Sequence, residues 1–318
     1  MKKLLIKLLF ISLLITITCI GIWILPGNYI SDLAILINKI NMLQSKDTPR
    51  IVFIGGSNLL SLDSPLIERE LKYLNYSVAN MGLFGALGIK HLLNNIKPYL
   101  RPHDVLIIIS EYGVLLRKEE ETEEDKKLRK YYFLISPKKN ISRYFINNQY
   151  YTLPRDIFEL LGLKIKTYLR NTIELNYTQI FENGRRNYKK NYNEYGDRIN
   201  PYQIIQPLLS SGVIYTFSDA SIMNNILFIN NICDSLLENN VKVLLFLPPF
   251  PYEEYNLNKK IINNLYDNLI KYLTIPVIGT TNDSLFPREY FADSIYHLNV
   301  KGESQRTRKL IAKLKEVL

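Results

Sequence analysis

The sequence predicts an α/β fold built on a parallel sheet, and three observations carry that expectation. Short all-apolar runs recur at residues 51–54, 105–109 and 241–247, each the length of a strand buried on both faces. They end in turn-forming or polar residues: Gly55-Gly56-Ser57-Asn58, Ser110-Glu111-Tyr112-Gly113 and Pro248-Pro249. Stretches of helical periodicity lie between them, and strand, helix, strand in that order implies right-handed crossovers with helices on both faces of the sheet.

The chain opens differently. Lys2, Lys3 and Lys7 precede an uncharged apolar run over residues 8–25. At 1.5 Å per residue the run spans about 27 Å, close to the thickness of a hydrocarbon core. Residues 1–26 are therefore expected to form an N-terminal transmembrane helix, with the lysines on the cytoplasmic side and the remainder of the chain extracytoplasmic. A cleaved signal peptide is the rival. No small-x-small site follows the run, which favours an uncleaved signal anchor. Residues 27–49 read as a linker or short helical stem, and residues 50–318 as the globular domain.

Within that domain the first strand, 51–54, opens into the Gly55-Gly56-Ser57-Asn58 turn. A helix follows, with Ser64 expected as its cap, Pro65 in its first turn and Leu66, Ile67, Leu71 and Leu74 as its apolar stripe. A short strand at 77–79 leads to the glycine-bearing turn Asn80-Met81-Gly82, and a helix then runs through Leu92 and Leu93 toward Pro98. Strands at 105–109, 241–247 and 275–278 complete the sheet. Residues 115–218 form an insertion or cap: a run of mixed charge, then a Tyr- and Asn-rich stretch with a basic cluster at Arg185, Arg186, Lys189 and Lys190. Its two readings are a helical cover over hydrophobic surface and a groove wall laying aromatic rings against sugars.

Composition closes several routes. Of 318 residues, 40 are Lys or Arg and 30 Asp or Glu, a net charge of +10 that suits anionic surfaces without choosing among them. Two cysteines, Cys19 and Cys233, exclude a disulfide scaffold, and three histidines make a Cys/His zinc site improbable. No metal or organic cofactor is called for. Basic and aromatic residues interleave in the insertion, but no nucleic-acid recognition motif accompanies them, so no nucleic-acid partner is expected.

In a parallel α/β sheet, ligands collect outside the carboxyl ends of the strands. Ser57, Gly82 and Glu111 stand there, and Asp293-Ser294-Ile295-Tyr296-His297-Leu298-Asn299, just before the last helix, can return to the same rim. Such a set permits acyl transfer through a serine. Ser57 attacks, His297 takes its proton, and Asp293 fixes the imidazole tautomer. Backbone N–H groups at Ser57 and Gly82 are candidates to stabilise the oxyanion. His91 and His103 read as structural.

The order and context of these blocks resemble the SGNH (GDSL-like) hydrolase superfamily. Gly55-Gly56-Ser57-Asn58 is similar to its nucleophile block, Asn80-Met81-Gly82 to the block whose glycine N–H serves the oxyanion hole, and Asp293 to Asn299 to the block supplying acid and base. The resemblance covers residues 50–115 and 240–318, and implies a flavodoxin-like three-layer sandwich. Two features depart from the family pattern. Its third strand usually ends in a block whose asparagine donates to the oxyanion, where this chain has Glu111; either Tyr112, Asn58 or another donor then substitutes, or Glu111 does something different. The Asp293-to-His297 interval is also one residue longer than the common Asp-x-x-His. Such variants resemble membrane-linked bacterial proteins that transfer acyl groups at the cell surface, including the alginate-acetylation and D-alanylation types. The resemblance implies an esterase or O-acyltransferase acting on a cell-surface glycan, with a polytopic membrane acyltransferase partner if transfer is its activity. A non-catalytic glycan-binding or assembly protein of the same fold is the alternative.

Overall fold

The computed structural model describes residues 31–47, 49–83, 88–116, 190–199, 212–216 and 218–318, with isolated positions at 7 and 162. The chain divides into two compact units, Met1–Ile37 with Lys126–Tyr188, and Asn38–Asp125 with Lys189–Leu318. Nearly all described residues belong to the second, and the fold below is that unit's. The anchor expected over residues 1–26 lies outside the described residues, as does most of the segment 115–218. Among the described residues no helix is long and apolar enough to cross a membrane.

Five parallel strands form the main sheet: β1 (Arg50–Gly55), β2 (Ser77–Asn80), β3 (Val105–Ile109), β4 (Lys242–Phe246) and β6 (Val277–Ile278). Their spatial order is β2-β1-β3-β4-β6, and a separate two-stranded piece pairs β5 (Phe250–Pro251) with β7 (Leu285–Phe286). β1 and β3 are buried at every position, which is why both read as unbroken apolar runs rather than alternating ones. The described helices are α1 (Ser31–Ser45), α2 (Ser64–Glu70), α3 (Gly88–Ile96), α4 (Tyr112–Leu116), α5 (Asp219–Leu237), α6 (Tyr252–Tyr272) and α7 (Val300–Val317).

Strand alternation sorts the core. Ile51, Phe53, Val105, Ile107, Ile109, Leu244 and Phe246 pack with Leu66 and Ile67 of α2 and Leu310, Ile311 and Leu314 of α7. The intervening residues Val52, Ile54, Leu106, Ile108, Val243 and Leu245 point to the opposite face and are just as buried. Each such apolar side chain contributes about 1.5–3 kcal/mol by leaving water. The start of α2 differs in one detail from expectation. Asp63 is its cap, accepting the Leu66 N–H at 2.9 Å, and Ser64 is the first helical residue. The Ser64 hydroxyl is instead held by Asp197 at 2.6 Å.

The lower edge of the sheet is closed by an ion pair. Arg50 begins β1 and Asp104 immediately precedes β3; both side chains are fully buried. Arg50 Nε donates to Asp104 Oδ1 at 3.1 Å, Nη1 to the Leu43 carbonyl at 2.6 Å and Nη2 to the Tyr99 carbonyl at 2.8 Å. Asp104 also accepts the N–H groups of Arg50 and Arg101. This pairing leaves the opposite, carboxyl edge of the same strands free to carry polar turns.

Candidate active site

Strand order 2-1-3 makes the gap between β1 and β3 the topological switch point, where successive connections leave in opposite directions and a crevice opens. Gly55 is paired in register with Ile109. A Cβ on Gly55 would stand 2.1 Å from the Ile109 carbonyl oxygen, so only glycine lets the strands end this close together. Ser57–Leu60 then form a single 3₁₀ turn. The turn is braced from behind. Asn58 is fully buried, its Nδ2 donates to the Ile109 carbonyl at 3.1 Å, and its Oδ1 accepts from Arg306 at 3.1 Å. Arg306 also donates to the carbonyls of Asn58 and Ser61, and Ser61 Oγ donates to the Leu298 carbonyl at 2.9 Å. Burial pulls the Arg306 guanidinium down to about 9, against the opposing pull of Glu303.

Ser57 itself is half-buried, and its hydroxyl donates to Glu111 Oε1 at 3.0 Å. The same carboxylate oxygen accepts the Asn58 N–H at 3.3 Å. Both residues lie two positions beyond the Gly55–Ile109 pair, so parallel register alone brings them side by side.

His297 and Asp293 stand on the loop before α7. His297 Nδ1 and Asp293 Oδ1 are 2.7 Å apart, with the imidazole 17% and the carboxylate 59% exposed. A carboxylate can only accept, so Nδ1 donates, and in the neutral imidazole that tautomer puts the lone pair a base requires on Nε2. The loop is a closed structure: Ala292 N–H bonds to the His297 carbonyl at 2.8 Å, Asn299 N–H to the Tyr290 carbonyl at 2.9 Å, and the Asn299 side chain caps α7. The Ser61–Leu298 bond joins this loop directly to the Ser57 turn.

Three of the oxyanion donors expected from sequence are engaged or buried in the structure. The Gly82 N–H donates to Asn80 Oδ1 at 2.8 Å and Gly82 is buried, so it is committed inside the fold. The Asn58 side chain is likewise engaged, by Ile109 and Arg306. Tyr112 is fully buried with its ring edge-on to Phe250 at 5.1 Å, and its hydroxyl finds no hydrogen-bond partner among the described residues. Burial raises its phenol well above the usual range, with Tyr215 and Tyr255 contributing. What faces the Ser57 hydroxyl's acceptor is the main-chain N–H of Asn58.

Two further groups went unread in the sequence. Tyr296 sits against Phe250 at 5.6 Å, its hydroxyl accepts the Gly113 N–H at 3.3 Å, and it shares a short hydrogen bond with the Tyr215 hydroxyl. Burial first, and then nearby charges including Glu111, push Tyr215 up to about 12. Lys39 of α1 is fully buried and donates to the carbonyls of Asn80 (3.0 Å), Gly82 (2.7 Å) and Gly196 (2.7 Å). Desolvation pulls its ammonium down to about 7 while Asp197 opposes the shift. Asp197 in turn accepts from Ser64, Asn80 and Asn193. No local signal marks Lys39, because its three acceptors come from turns 41, 43 and 157 residues away.

Among the described residues no group of three or more His, Cys, Asp or Glu side chains is placed to hold a metal ion. The sequence matches no family model and no curated protein.

Proposed function

We propose that this chain is a membrane-anchored, extracytoplasmic acyl-ester hydrolase or O-acyltransferase of SGNH type, built on a flavodoxin-like three-layer sandwich and acting on a cell-surface glycan. The observation that carries the reading is the joining of the Ser57 turn to the His297–Asp293 loop by the Ser61–Leu298 hydrogen bond, at the switch point of a 2-1-3-4-6 parallel sheet. In the proposed reaction His297 Nε2 takes the Ser57 proton as Oγ bonds to the ester carbonyl carbon. The carbon–oxygen bond to the leaving alcohol then breaks, and the imidazolium returns the proton to that alcohol. Water or a sugar hydroxyl, deprotonated by His297, then bonds to the acyl carbon, the carbon–Oγ bond to Ser57 breaks, and the imidazolium returns the proton to Ser57 Oγ. Asp293 holds the tautomer throughout. Transfer to a glycan requires a polytopic membrane partner to deliver the acyl group.

The second reading is a non-catalytic glycan-binding or assembly protein, and Glu111 favours it. A carboxylate about 4 Å from a developing oxyanion opposes it by on the order of 4 kcal/mol at an effective dielectric of 20. A fluorophosphonate probe separates the two. Stoichiometric labelling of the full chain at Ser57, abolished by Ser57→Ala and strongly slowed by His297→Ala, is the result expected of the enzyme. A folded protein with no labelling and no ester turnover belongs to the binding reading.

A further inference from the structure

We propose that the Asn58 main-chain N–H, together with the Ser57 turn, is the oxyanion-binding donor of this site, and that the Glu111 carboxylate occupies it in the free protein as an internal stand-in for the substrate oxygen. The inference rests on the acyl-transfer reading and names its missing donor and the group that masks it. Three observations converge. Glu111 Oε1 accepts from Ser57 Oγ at 3.0 Å and from Asn58 N at 3.3 Å, so a negatively charged oxygen already lies where an oxyanion bonded to Ser57 would seek a donor. Of the other expected donors, the Gly82 N–H is engaged by Asn80, Asn58 Nδ2 by Ile109, and the Tyr112 hydroxyl lies within the core, which leaves the main-chain N–H groups of the Ser57 turn itself. The Asn58 N–H is held rigidly, since Arg306 and Ile109 fix the rest of that residue from behind, and a preorganised donor is the kind that stabilises developing charge.

The arrangement blocks the site twice. A serine hydroxyl has one proton, and while Glu111 accepts it, it is not donated to His297. The carboxylate also fills the position of the substrate's carbonyl oxygen and repels the charge that forms there. No described cation pairs with Glu111, and the side chain is half-buried, so rotation toward solvent can clear both obstacles at once. Glu111 is thus a positioning and gating residue, and Asn58 N–H touches the reacting oxygen.

The test measures the rate at which a fluorophosphonate labels Ser57 in the full-length wild type, Glu111→Gln and Glu111→Ala, with far-ultraviolet circular dichroism and melting curves confirming the fold of each. In the labelling step the Ser57 Oγ–phosphorus bond forms, fluoride leaves and the proton goes to His297. Unmasking one oxyanion donor is expected to raise the second-order rate constant about tenfold or more in both variants. A second readout follows the Asn58 amide by ¹⁵N NMR: its resonance moves on Glu111→Gln without probe, and moves again on labelling. Labelling at wild-type rate or slower in both folded variants overturns the inference while leaving Ser57 chemistry standing. No labelling in any of the three proteins overturns the acyl-transfer reading and this inference with it. Faster labelling with an Asn58 amide unmoved by the probe overturns the assignment of the donor.

Discussion

The adjacent strands β1 and β3 carry a charged pair of contacts at each end, and the two ends are built to opposite specifications. At the amino end, Arg50 and Asp104 are fully buried, and both ionic groups are hydrogen-bonded to each other and to neighbouring main chain. At the carboxyl end, Glu111 is half-buried and, among the described residues, accepts hydrogen bonds from one hydroxyl and one amide. The lesson is one of division of labour. A desolvated ion pair braced by main-chain hydrogen bonds locks register, whereas an incompletely satisfied carboxylate beside a nucleophile stays able to change partners.

The largest effect that tests this contrast is on the buried pair. Arg50→Leu leaves Asp104 an unpaired buried carboxylate and is expected to lower the unfolding free energy by about 3–5 kcal/mol in urea titrations, with Arg50→Leu/Asp104→Leu recovering most of the loss. A loss under about 1 kcal/mol would break the comparison. Gly82→Ala comes next, because a Cβ there would lie 2.3 Å from Leu59 Cβ and 2.9 Å from Asn80 Oδ1. The expected cost is about 1–3 kcal/mol, read by the same titration, together with slower Ser57 labelling as Leu59 is pushed within the Ser57 turn.

A smaller effect is pH-dependent and belongs to α7, which braces the chemical end. Burial, with Asp197 and Asp63 adding to it, raises Glu303 from 4.5 to about 7. The folded state therefore holds more protons than the unfolded one between those values, and this group's contribution to stability is lost as pH rises through that window. Glu303→Gln removes the titration. The difference in stability between variant and wild type is expected to grow with pH from about 4.5 to about 7, by on the order of 1–2 kcal/mol, part being offset by the support Glu303 lends Arg306. Thermal melts at a series of pH values read this directly, and a difference that stays flat would show that Glu303 is solvated. Smallest of all, Glu111→Gln is expected to change stability by less than about 1 kcal/mol, since the group is half-exposed and water can satisfy the hydroxyl and amide it releases. A cost near that of breaking the Arg50–Asp104 pair would erase the difference between the two ends.

Much of the fold is legible residue by residue. The runs at 51–54 and 105–109 announce strands because a parallel strand covered on both faces has no polar side to show, and β1 and β3 are buried throughout. The fifth strand of the main sheet, Val277–Ile278, starts two residues later than its apolar run, where Pro276 has no N–H to give to a ladder. Asp293 and His297 are four residues apart and meet within one loop, so their pairing depends only on local geometry.

The rest needed the third dimension. Glu111 is legible as a departure at the end of β3, but its bond to Ser57 follows from the Gly55–Ile109 register, which hydrophobic pattern does not encode. Gly82 and Asn58 have the right composition for oxyanion donors, yet which N–H is free depends on backbone direction and on side chains arriving from Asn80, Ile109 and Arg306. Lys39 shows the same limit, being buried at full length because three distant carbonyls converge on it. The amino-acid order by itself determined which segments are strands and which residue types stand at their ends, because burial and turn formation act over a few neighbours. Only the tertiary structure decided which of those groups touch, because a hydrogen bond requires two atoms within about 3 Å, and that distance is set by strand register and packing across the chain.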